Sequence, residues 1–218
     1  MVAVPGSVVL TNVTRSVAAF DMPAPKEHIT GEVKRAIGEL LFDANDITKT
    51  RGNIQFDLTE LRTHTFEDKA KNDSQSEHAR TWLQAVVEGN VNESFRYATF
   101  TVKNIDSSAS SLVAMPVTRR GEVRFRMASA RVTGDFSVHG KTVEKTIDVT
   151  FKLVVDATDR PTSLAIETNT PFVVTLAHHD VKPRDSFGIL AKSAFSILGT
   201  KVAEAASTRA EITFSLPN

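Results

Sequence analysis

Between Arg131 and Val155 the chain reads RVTGDFSVHGKTVEKTIDVTFKLVV, and a hydrophobic period of two runs through nearly all of it. On the first arm Ala130, Val132, Phe136 and Val138 share one phase, interleaved with Arg131, Thr133, Asp135 and Ser137. On the second arm Val143, Ile147, Val149, Phe151, Leu153 and Val155 alternate with Glu144, Thr146, Asp148, Thr150 and Lys152. Successive side chains of a strand point to opposite faces, so each arm has one apolar and one wet face. The break at His139-Gly140-Lys141 is short and carries a glycine able to take the positive φ of a tight turn. A two-stranded ribbon of this kind is not stable alone in water, so its apolar face must cover a core or a ligand.

The flanking segments repeat the theme. Val8 to Phe20 has strand composition, with Val9, Thr11, Val13 and Val17 in one phase and Pro23 and Pro25 beyond it. His28 to Phe42 reads as two short strands about a turn near Arg35 to Gly38, and Asp43-Ala44-Asn45-Asp46 as a turn. Ile47 to Leu61 reads as one long strand, in which Ile54, Phe56 and Leu58 alternate with Asn53, Gln55, Asp57 and Thr59. Between Asp73 and Glu88 the period lengthens: Ala79, Trp82, Leu83 and Val86 fall three and four apart, Ser76 can cap a helix start, and Gly89-Asn90 can end it. Trp82 is expected to face inward.

Strands resume over Phe95 to Ile105, Leu112 to Thr118 (an edge, because of Pro116), Leu164 to Leu176 and Ala210 to Leu216, with turns at Arg119-Arg120-Gly121 and Asp156 to Pro161. Val123, Phe125 and Met127 are apolar at odd positions, whereas even positions are apolar from Ala130 onward. That change of phase predicts a β-bulge at Ala128-Ser129. Phe187, Leu190, Ala194 and Leu198 fit an amphipathic helix within Ser186 to Ser207. Eight to ten strands and one or two helical pieces in 218 residues suit an all-β, antiparallel, single-domain barrel. Eight strands can leave room inside for one ligand. Thirteen phenylalanines against one tyrosine and one tryptophan suit a dry lining, and equally a filled sandwich core.

Composition excludes several functions. The 26 basic and 26 acidic residues cancel and form no cluster, which argues against nucleic acid as partner. With no cysteine there is no disulfide, thiol nucleophile or thiolate metal site. His178 and His179 are strand neighbours that face opposite ways and cannot readily share a metal; one is expected inside or at the rim and the other in water. His139 is expected to be a solvated turn residue. His64, His78 and Ser76 with Asp68 or Asp73 lack the Gly-x-Ser-x-Gly elbow of a hydrolase, so Ser76 is better read as a cap. No glycine-rich phosphate cradle follows a strand, and Lys34-Arg35, Arg51 and Arg119-Arg120 read as solvated turns. No catalytic residue, metal or cofactor is expected. No apolar run is long enough for a membrane-spanning helix, and Met1 to Gly6 is not a signal peptide. The chain is therefore expected either to stay in the cytoplasm or to be a mature form given a new start methionine.

Val132-Thr133-Gly134-Asp135-Phe136-Ser137-Val138-His139-Gly140-Lys141-Thr142 resembles the signature hairpin of the YceI-like, lipocalin-like polyisoprenoid-binding proteins. Weaker likenesses precede it in order: Ile29-Thr30-Gly31-Glu32-Val33, Gly52 to Leu58, Ser76 to Arg80 with Trp82-Leu83, and Ala98-Thr99-Phe100. Together they extend the resemblance over roughly Val9 to Pro217. The chain departs from the family where Arg96-Tyr97 replaces a proline, where Ala79 and Arg80 follow His78 in place of a leucine, and in a longer, more helical Phe187 to Ala206. The resemblance implies an extended antiparallel eight-stranded β-barrel, periplasmic or secreted, that binds a polyisoprenoid, an isoprenoid quinone or a similar lipid without catalysis. Ile54, Phe56, Leu58, Trp82, Phe100, Phe136, Phe151, Phe172 and Val174 are the residues expected to line its tunnel. A homodimer is left open. The alternatives are an enzyme using His178 or His179 with Asp180 in the same cavity, and a filled barrel serving as an interaction module.

Overall fold

The computed structural model describes residues 7–23, 28–181 and 203–217. In chain order the strands are β1 (Val8–Leu10), β2 (Val13–Pro23), β3 (His28–Val33), β4 (Ala36–Phe42), β5 (Arg51–Asp57) and β6 (Arg62–Thr63). Helix α1 (Lys69–Trp82) follows, then β7 (Val86–Val87), β8 (Asn90–Val91), β9 (Tyr97–Asp106), β10 (Thr118–Arg120) and β11 (Val123–Val138). The chain ends with β12 (Lys141–Val155), β13 (Pro161–Thr168), β14 (Phe172–Thr175) and β15 (Ala205–Ser215). The helix expected within Ser186 to Ser207 falls mostly outside the described residues, and from Ala205 the chain is strand.

These segments merge into eight antiparallel staves. The first hairpin is kinked: β1 pairs with β4 (Leu10 opposite Leu40) while β2 pairs with β3 (Ala18 opposite Val33), so β1–β2 and β3–β4 are two bent strands side by side. β4 continues to β5, β9, β11, β12, β13 and β15, and β15 returns to β2. The ladder thus closes on itself, which removes the long unpaired edges of an open sheet. The strand expected over Leu164 to Leu176 is interrupted, because β13 and β14 are separated at Asn169–Pro171 and both pair with β15.

The central hairpin is the longest ladder, running without interruption from Arg124 opposite Val155 to Val138 opposite Lys141. No bulge occurs at Ala128-Ser129; the register shift of β11 lies against β9, between Thr133 and Gly134. Even positions face inward throughout. Arg124 and Arg126 keep that phase by carrying their guanidinium groups to the barrel end. There Arg124 donates to the Asp156 carbonyl and to Asp159 Oδ1 at 2.6 Å, and Arg126 donates to the Met115 carbonyl. Val123 and Met127 are exposed on the outer face, and Phe125 is covered there, with the Lys152 ammonium 4.7 Å from its ring centre. On β1 Leu10 is buried while Val9 is 46% exposed, and on β2 Ser16 is buried and Ala18, Phe20 and Met22 face inward.

Leu10, Leu40, Phe42, Ile47, Leu112, Leu153, Leu164 and Phe214 are all at most 1% exposed and fill one end of the barrel. The segment 107–115 crosses that end, its backbone bonded to Ile47 and Ala44. Leu112 to Met115 is accordingly a turn, and the neighbouring edge strand is β10. A second apolar cluster of Val33, Leu58, Leu61 and Ala85, with Phe20, Ala79 and Leu83 against it, packs α1 over the opposite end. The helix starts earlier than its apolar spacing suggests, because Asp68 caps it by accepting from the Ala70 amide at 2.8 Å. Ser76 is a buried mid-helix residue: its hydroxyl accepts from the Thr63 amide at 2.9 Å and donates to the Asn72 carbonyl at 2.6 Å, fastening α1 to β6. Gly89-Asn90 belongs to the β7–β8 hairpin, beyond the helix end at Trp82.

Candidate ligand cavity

Between the filled end and α1 the barrel encloses a cavity of about 410 Å³. Its wall is the inward face of the staves, from Phe20 on β2 and Ile29 on β3 to Ile212 on β15, and α1 supplies Ala79 and Trp82. Among the described residues, the polar ones in the lining are Thr50, Thr63, Gln75, His78, Thr168 and Thr208, and none is a carboxylate, lysine or arginine. Along β5 the lining runs from Thr50 to Leu58, which is about 25 Å of extended chain. The site is therefore long, narrow and dry, and suits burial of an apolar chain at about 0.8 kcal/mol per methylene.

A glycine gives one of the largest rings its place. Gly134 lies on the inward face, and a Cβ there would come within 2.4 Å of the Thr101 carbonyl oxygen and 2.6 Å of Phe100 Cζ. The Phe100 ring therefore lies against the wall where any other residue would lift it into the lumen. Asp57 fixes the end of β5, where Leu58 turns into the cavity. Its carboxylate accepts from the Thr59 hydroxyl at 2.6 Å and from Arg96 Nη2 at 2.8 Å. Burial alone would raise this carboxyl, but the bonds from Arg96 and Thr59 outweigh it and hold the group below the usual carboxylate range.

The model of the YceI-like domain matches residues 9–216. The chain belongs to the YceI-like family. The solved structures that resemble this YceI-like barrel include a polyisoprenoid binding domain from Saccharophagus degradans implicated in plant cell wall breakdown, at 12% identity and a TM-score of 0.62 over 96% of this chain and 98% of that one. BcnA from Burkholderia cenocepacia is 16% identical, with a TM-score of 0.53 over 91% of this chain and 95% of that one. The YceI protein of Campylobacter jejuni is 10% identical, with a TM-score of 0.51 over 86% and 85%. No curated protein matches the chain in sequence. At these identities the likeness to the solved structures is one of fold.

In this YceI-like barrel all nine residues expected to line a tunnel face the one cavity. Ile54, Phe56 and Leu58 come from β5 and the short turn after it, Phe100 from β9, Phe136 and Phe151 from the central hairpin, Phe172 and Val174 from β14, and Trp82 from α1. Phe136 meets Phe172 edge to face, with ring centres 6.0 Å apart. Phe20, Met22 and Ile29 also face it and were not among those nine. The phase read from Val9 to Val17 puts Phe20 and Met22 on the other face, and the strand that carries Ile29 has no phase assigned to it.

His179 is fully buried and His178 exposed, the inside–outside split expected of them, although they are not strand neighbours. Both lie in a single turn of 3₁₀ helix after β14. His179 Nδ1 donates to the Lys141 carbonyl at 3.0 Å, and burial keeps the imidazole below its ordinary pKa and so neutral. His139 is not solvated. It is 8% exposed, packed against Phe95 in a tilted arrangement with ring centres 4.8 Å apart, and joined through Nε2 to the Gln84 side chain. Among the described residues no group of three histidines or carboxylates could hold a metal ion, and no helix is long and apolar enough to cross a membrane.

Proposed function

We propose that this barrel binds one polyisoprenoid or similar long-chain amphipathic lipid in its cavity and acts as a carrier, store or sensor without catalysing a reaction. The observation that carries the reading is the cavity itself: about 410 Å³, walled mainly by aliphatic and phenyl side chains, with no carboxylate, lysine or arginine among the described residues of the lining. Such a wall offers area and few polar contacts, so it holds a chain by apolar burial and does little to polarise a reacting bond. Membership of the YceI-like family and the fold shared with a polyisoprenoid binding domain support the same ligand class. A periplasmic or secreted location belongs to this reading.

Native mass spectrometry of the purified full chain, followed by organic extraction, tests it. A stoichiometric adduct with a long apolar chain is the expected result. A clean apo mass that persists after incubation with isoprenoid alcohols and quinones would overturn the proposal.

A further inference from the structure

The cavity carries a polar mark at its helix end. The chain has thirteen phenylalanines and a single tryptophan, and that tryptophan, Trp82, lines the cavity from the last turn of α1. Its Nε1 is buried without a hydrogen-bond partner. A phenyl ring would supply similar apolar area, and what the indole adds is one N–H, which can only donate. A buried donor left unmade carries its full desolvation penalty. Thr50, 1% exposed, also lines the cavity with its hydroxyl unpartnered, but near the filled end. The two orphaned groups therefore stand far apart along a tube whose other polar lining residues, among those described, are Thr63, Gln75, His78, Thr168 and Thr208.

We propose that Trp82 Nε1–H anchors a hydrogen-bond-accepting oxygen, a carbonyl or an ether, carried at one end of the occupant's apolar chain. The inference rests on the lipid-binding reading above and narrows it: the occupant is not a plain hydrocarbon, and its oxygenated end lies under α1 with the chain running toward Thr50.

The test uses two probes on the full chain: farnesylacetone, an isoprenoid methyl ketone, and the hydrocarbon in which its carbonyl is replaced by methylene. The ketone is expected to bind roughly three- to tenfold more tightly, the range of one neutral hydrogen bond in an apolar site. In Trp82→Phe the two affinities are expected to converge, while Thr50→Val keeps the ketone preference. Because Trp82 is the sole tryptophan, wild-type emission gives a second readout that needs no variant: the ketone shifts it to the red of the hydrocarbon complex. Equal binding and equal emission of the two probes in the wild type would overturn the anchor while leaving lipid binding intact. A preference that survives Trp82→Phe and vanishes in Thr50→Val would overturn it by placing the oxygen at the filled end. Failure of both probes to bind would overturn the anchor together with the lipid-binding reading.

Discussion

Nδ1 of His139 donates to the backbone carbonyl of His179 at 3.0 Å, joining the turn of the central hairpin to the 3₁₀ turn that follows β14. His139 adopts φ +52° and Gly140 φ +70°, the two positive values of a two-residue hairpin loop that matches strand twist. The residue therefore serves as turn former, buried ring and polar bridge together. His139→Asn keeps the backbone preference and loses the ring, and is expected to cost about 1–2 kcal/mol. His139→Val adds a β-branched residue at positive φ and is expected to cost about 2–4 kcal/mol. Urea unfolding of the two variants gives the order; Val as the milder change would contradict this account.

Phe136 lies between Phe172 and His179, whose ring centre is 5.4 Å from its own, and lines the cavity. Phe136→Arg puts a charge on that wall, where it has no partner, so the variant is expected to purify without the apolar adduct of the wild type. Circular dichroism should still report a β-protein. Retention of the same lipid at the same stoichiometry would show that the chain is held elsewhere.

Gly134→Ala is expected to destabilise the barrel by about 1–3 kcal/mol and to displace the Phe100 ring. The cause is space alone, since the near neighbour is the Thr101 carbonyl, a backbone atom that cannot swing away. At Gly121 a Cβ would meet open space, so Gly121→Asn, which tolerates the φ of +61° there, is expected to change stability by less than about 1 kcal/mol. Chemical denaturation of the pair separates crowding from turn chemistry.

Burial holds the His179 imidazole below its ordinary value, and the charges of Lys145 and His178 push it the same way. A folded value below the unfolded one favours unfolding when the group is protonated. Its contribution to stability is complete above about pH 6.5 and declines as pH falls through the folded value. The urea midpoint of the wild type is expected to drop between about pH 8 and about pH 5, and His179→Gln to show a shallower drop. Identical slopes would rule His179 out as the source.

The Asp57 carboxyl is held low by Arg96 and Thr59 against the upward pull of burial. Its stabilising effect is present above about pH 3.9, the usual unfolded value, and is lost as pH falls through the lower folded one. Arg96→Ala leaves a 2%-exposed carboxylate with less support. The expected result is a loss of about 1–3 kcal/mol near neutral pH and acid unfolding that begins at a higher pH than in the wild type.

The central hairpin and the phenylalanine faces were legible because a period of two leaves no second interpretation over a dozen residues. Ile54 and Phe56, or Phe136 and Phe151, had to share a face with their apolar neighbours, and the closed ladder turns that face inward. The filled end was harder to read. Arg124 and Arg126 occupy inward positions and escape along the barrel axis, so the outward Val123, Phe125 and Met127 mimicked a change of phase. His139 looked solvated because local sequence shows the turn but not the loop and ring that close over it, Gln84 and Phe95. Arg96, read as a departure from the family's proline, turns out to hold Asp57, a pairing across 39 residues that no short motif encodes. Ser76 shows the same limit: a good cap residue by type, it sits buried against Thr63 because of where β6 passes.

The packing of Leu10, Phe42, Leu153 and Phe214 under the 107–115 segment makes the tube blind. A blind tube measures what enters it. A chain shorter than the lumen leaves void at the bottom, and one longer than the lumen cannot be wholly enclosed. Loading and unloading cannot pass through the plugged end, so the depth of the floor is a fixed gauge for any guest.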